Sequence, residues 1–86
     1  MVSKLSFENN TTSTISIIIE PEAISIDLQK GKPIDIELTL KTDKYNDKFT
    51  CIMEEGRMII YECRQYEMKI FVDNKLEYYT PEGRYW

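Results

Sequence analysis

The stretch PIDIELTLK, residues 33–41, alternates without a break: Ile34, Ile36, Leu38 and Leu40 are apolar, while Asp35, Glu37, Thr39 and Lys41 are polar. Successive side chains of a β-strand point to opposite faces, so this spacing predicts a strand with one face buried and the other in water. AISIDLQ, residues 23–29, repeats the pattern with Ile24, Ile26 and Leu28 set against Ser25, Asp27 and Gln29.

On either side of these stretches period two persists, and no helical period of any length replaces it. β-Branched and aromatic residues predict further strands near 4–7, 15–20, 48–53, 57–63, 67–72 and 75–79. NNTT (9–12), EPE (20–22) and TDKYND (42–47) break the runs. QKGK (29–32), EEGR (54–57) and VDNK (72–75) read as tight hairpin turns, because Gly and Asn tolerate positive φ. ISIII (15–19) is apolar on both faces around Ile18, which suits a central strand rather than an edge. Short strands at intervals of about ten residues predict a single all-β domain over residues 1–86: a small antiparallel β-sandwich or open barrel of about seven or eight strands.

A hairpin at QKGK would pair Ile26 with Ile36 and Leu28 with Ile34 on the core side. That register sets Asp27 against Asp35 and Ser25 against Glu37 on the other face, and like charges placed so repel. With Glu20 and Glu22 entering the same hairpin, an acidic ridge is expected. It is either a binding patch or a solvated outer face relieved by Lys30, Lys32 and Lys41.

Composition narrows the function classes. With 42% hydrophobic residues the 86-residue chain can fold around one modest core. Fifteen acidic residues against eleven basic ones give −4, the wrong sign for gripping phosphates, so a nucleic-acid partner is not expected. A basic protein suits the charge better. Residues 1–10 hold one lysine and no apolar secretory core, and no run approaches the length of about 20 apolar residues that spans a bilayer, so a cytoplasmic protein without a membrane partner is expected. Cys51 and Cys63 lie in apolar strand patterns and read as reduced core residues rather than a disulfide framework.

The chain contains no histidine, the usual general base and commonest metal ligand. Two cysteines twelve apart do not make a structural zinc site, DKYND (43–47) misses the calcium-loop pattern, and Gly31, Gly56 and Gly83 are isolated rather than part of a phosphate loop. Asp27 and Asp35 form the one conceivable acid–base pair, yet an open strand face offers little to separate their pKa values. No enzyme activity, metal or cofactor is expected.

A binding surface remains. Tyr45, Tyr61, Tyr66, Tyr78, Tyr79, Tyr85 and Trp86 exceed what so small a core can bury, with Tyr61 and Tyr78 the best core candidates. Tyr, Trp and Arg are enriched at interfaces, and Arg57, Arg64 and Arg84 add to the stock. The C-terminal YYTPEGRYW (78–86) is either a lid that turns at Pro81-Glu82-Gly83 over the open end of the sandwich or an anchor for a partner.

The order of motifs resembles a group of small, functionally uncharacterised bacterial β-proteins. Their pattern is an apolar strand ending in Glu-Pro-Trp, a strand, a Pro-Gly turn and an Ile/Val-alternating strand, followed near the end by a Gly-initiated strand and one closing on an Asp-Gly turn. Glu20 and Pro21 match the Glu-Pro, Gly31 the first turn, and Val72–Lys75 the last. Glu22 stands where the pattern has tryptophan, and Asn74 where it has glycine. The similarity spans roughly residues 15–79 and implies the fold. By type, the chain is also similar to bacterial immunity proteins: small, acidic, cytoplasmic and without catalytic residues.

The expected function is therefore non-enzymatic binding, as an immunity protein or antitoxin that neutralises a basic toxin domain such as a nuclease. Glu20, Glu22, Asp27, Asp35 and Glu37 are the expected acidic contacts, and Tyr79, Tyr85 and Trp86 the aromatic anchors. A ligand-binding β module for sugars or lipids, or a structural protein-interaction domain, is the alternative.

Overall fold

In the computed structural model, which describes residues 2–45 and 48–80, every regular element is a strand. They are β1 (Val2–Glu8), β2 (Ile15–Glu20), β3 (Ile24–Leu28), β4 (Pro33–Leu40), β5 (Thr50–Glu54), β6 (Arg57–Tyr61), β7 (Tyr66–Val72) and β8 (Lys75–Tyr79). Two four-stranded sheets face each other, sheet A in the order β1-β4-β7-β8 and sheet B in the order β3-β2-β6-β5. Neither closes into a barrel, so the fold is the small β-sandwich.

Alternation explains the core. Ile34, Ile36 and Leu38 of β4, with Met68 and Ile70 of β7 and Tyr78 of β8, are buried from sheet A. Ile15, Ile17 and Ile19 of β2, Leu28 of β3, and Met58 and Ile60 of β6 meet them from sheet B as one cluster. Each fully buried Ile contributes about 2–3 kcal/mol of apolar transfer free energy. As ISIII suggests, β2 is central, flanked by β3 and β6.

Two of the expected hairpins form. At EEGR, Glu54 faces Arg57 and Gly56 takes φ +79°. At VDNK, Val72 faces Lys75 while Asp73 and Asn74 both have positive φ, 52° and 67°. Those two left-handed residues give the turn a twist that matches the flanking strands.

The QKGK hairpin does not form. The turn exists, with Gly31 at φ +78° and the Lys32 N–H on the Gln29 carbonyl at 3.1 Å, but it carries the chain from sheet B to sheet A. β3 pairs with β2 instead, and both edges of β4 are taken by β1 and β7. Asp27 consequently faces Ser16, and Asp35 faces Ser6 on one side and Phe71 on the other. Alternation tells which face of a strand is buried but is silent about its neighbour, and here the apolar faces of β3 and β4 meet across the core rather than side by side. All pairings are antiparallel except β2 with β6, which run parallel.

Three smaller expectations also change. Tyr61 is 39% exposed, because it alternates with buried Ile60 and lies on the outer face of sheet B. β6 ends at Tyr61, so Cys63, although buried, lies in the following loop. Cys51, on edge strand β5, is only half-buried.

Candidate binding surface

The outer face of sheet A is built by the residues that alternate with its core. Across the strands, Ser6, Asp35, Phe71 and Leu76 form one row; Lys4, Glu37, Lys69 and Tyr79 form the next. A register shift after Ile70 adds a residue to β8, which lets Leu76 stand beside Phe71 while Tyr78 still points inward to Ile70. Such a bulge re-aims side chains without ending the pairing.

The rows differ in how their charges are satisfied. Lys4 Nζ lies 3.4 Å from Glu37, and Lys69 also stands opposite Glu37. Lys69 Nζ sits 5.5 Å from the centroid of the Tyr79 ring, whose hydroxyl donates to Glu67 at 2.9 Å. Asp35 accepts a hydrogen bond from the Ser6 hydroxyl and forms no ion pair among the described residues. A hollow of about 190 Å³ opens here, lined by Lys4, Asp35, Glu37, Phe71 and Asn74. That is smaller than the roughly 300 Å³ at which small-molecule sites begin.

The expected contact residues do not form one surface. Asp35, Glu37 and Tyr79 share the outer face of sheet A. Asp27 is on the outer face of sheet B, Glu20 ends β2 opposite Tyr61, and Glu22 is exposed in the turn that follows. The single acidic ridge expected from the QKGK hairpin is therefore absent, because the two strands that would have built it belong to different sheets. Tyr85 and Trp86 lie outside the described residues.

The outer face of sheet A also includes residues the sequence reading passed over: Phe71, half-buried, Leu76, 49% exposed, and Asn74 in the β7–β8 turn. The signal was available in KIFVDNKLEYY (69–79), where Phe71 follows a buried Ile70 and so faces outward. Placing Leu76 beside it required the bulge. Chemically, this face offers contact: carboxylates, two aromatic rings and apolar area on a hydrogen-bonded sheet. Among the described residues, no group of three His, Cys, Asp or Glu side chains could hold a metal ion. No protein family, no curated protein and no solved structure matches this chain.

Proposed function

We propose that this protein is a non-enzymatic binding module, an immunity protein that neutralises a basic toxin domain through the outer face of sheet A. The reading is supported chiefly by one juxtaposition, Asp35 and Glu37 beside Phe71, Leu76 and Tyr79 on an open sheet. Acidic residues there speed the approach of a basic partner, and the aromatic and apolar side chains hold it once docked. The −4 net charge works in the same direction.

The test compares the wild-type chain with an Asp35→Lys/Glu37→Lys double variant that retains the native circular dichroism spectrum. Each is used to capture proteins from the native cell, and each is co-expressed with the captured partner. The expected result is a basic toxin domain that the wild type retains and renders harmless, and that the variant releases. Retention of the same basic partner by both chains would move the site off sheet A. A partner that is not toxic, or the absence of a basic partner, would overturn the immunity reading.

A further inference from the structure

We infer that the hollow on sheet A is a receptor for one arginine side chain of the basic partner, an inference that rests on the binding role proposed above. The hollow carries an unbalanced charge. Lys4 and Glu37 neutralise each other at 3.4 Å, while Asp35 has a neutral hydroxyl donor and forms no ion pair among the described residues. One negative charge is left, which one monovalent cation closes.

Geometry selects the cation. Phe71 stands directly across from Asp35 in the β4–β7 register, so a carboxylate and an aromatic ring line the same small space. A guanidinium is planar: its face stacks on an aromatic ring while its edge offers two parallel N–H groups to a carboxylate. An ammonium is a more strongly hydrated point charge and gains less from that pairing. Asn74, held in the left-handed turn at φ 67°, also lines the hollow, and its side chain carries an amide carbonyl able to accept a remaining N–H. The neighbouring aromatic on this face is already served, since Lys69 lies over Tyr79 and Glu67 accepts a hydrogen bond from its hydroxyl. Asp35 and Phe71 are the pair left open to an incoming cation. The volume, about 190 Å³, suits a side chain rather than a free drug-sized ligand.

The experiment titrates the isotope-labelled full chain with Nα-acetyl-arginine methylamide, and separately with the lysine counterpart, following amide resonances. Saturable shifts centred on Asp35, Phe71 and Asn74 are expected, with the arginine derivative at least about threefold tighter than the lysine one. Asp35→Asn should weaken binding about tenfold, the loss of one charge-assisted contact, and Phe71→Leu about threefold. Absence of saturation in the wild type overturns the receptor whatever the variants do; so does an equal response to lysine, or shifts centred on sheet B. The two proposals fail separately. If a basic toxin depends on Asp35 and Glu37 while the arginine derivative does not saturate, the face binds without this receptor. If arginine saturates the hollow and no toxin is captured, the receptor stands and the immunity reading falls.

Discussion

The Asn9 amide donates at 2.8 Å to the carbonyl of Leu28, joining the end of a sheet A strand to the end of a sheet B strand. Asn9 is 3% exposed and fully used. Its amide also donates to the Ser13 carbonyl at 3.0 Å, its Oδ1 accepts the Thr11 N–H at 3.0 Å and the Thr11 hydroxyl at 2.6 Å, and its backbone bonds to Gly31 and Lys32. This one side chain ties the β1–β2 connection to the turn where the chain changes sheets. Asn9→Ala leaves the Leu28 carbonyl buried without its donor and removes three further bonds, a loss of about 2–4 kcal/mol. Urea unfolding measures it, with exposed Asn10→Ala, expected within about 0.5 kcal/mol of wild type, as the control. A loss below about 1 kcal/mol for Asn9→Ala would show that the crossing is held elsewhere.

How far the sequence discloses this fold follows from what a period-two pattern encodes. It assigns each residue of PIDIELTLK to a face, and Ile34, Ile36 and Leu38 are indeed buried while Asp35 and Glu37 face out. It does not encode which strand lies alongside. A Gly turn between two alternating strands looks the same whether it closes a hairpin or crosses the sandwich; here it is bonded to Asn9, twenty or more residues upstream, which no local pattern discloses. The candidate face was half legible for the same reason. Asp35, Glu37 and Tyr79 are visible as outward residues, whereas their company with Phe71 and Leu76 depends on a pairing and a bulge that no local pattern specifies.

Ala23 occupies a left-handed conformation, φ 57°, in the turn between β2 and β3. A Cβ there costs about 1–2 kcal/mol, and glycine escapes this at the expense of a more flexible unfolded chain. Ala23→Gly is therefore expected to stabilise by about 0.5–1 kcal/mol, raising Tm by about 2–8 °C. Gly56→Ala should do the reverse: it has open space around the position but φ +79°. A fall in Tm for Ala23→Gly, measured by thermal unfolding, would mean the turn relaxes out of the left-handed region.

Asp27 and Asp35 point away from each other on the outer faces of two stacked sheets. Stacked sheets lie about 10 Å apart backbone to backbone, and the outward side chains add to that separation. In a double-mutant cycle of Asp27→Asn and Asp35→Asn, the two effects on stability should add to within about 0.3–0.5 kcal/mol. Urea midpoints of the four proteins decide it. A larger coupling, with each variant relieving the other, would restore the β3–β4 hairpin that the sheet order excludes.

Cys51 lies on β5 opposite Ile60, half-buried against the core, and burial pushes its thiol pKa up. The thiolate is the reactive form, so less of it is present near neutral pH than in the unfolded chain. A disulfide reagent at pH 7.5 should label native Cys51 at least about tenfold more slowly than the same residue in urea, with the rate climbing above pH 9. Cys63, 4% exposed, should react more slowly still. The same shift carries a pH dependence of stability. A group that holds its proton longer when folded contributes stability that is complete below its unfolded pKa, about 8.5, and is lost as pH rises through the folded value. Tyrosines and lysines also titrate in that window, so the Cys51 share is read by comparison with Cys51→Val, whose urea midpoint should decline less between pH 8 and pH 10. An identical alkaline decline in both proteins, or labelling of native Cys51 as fast as in urea, would place the thiol in water rather than against the core.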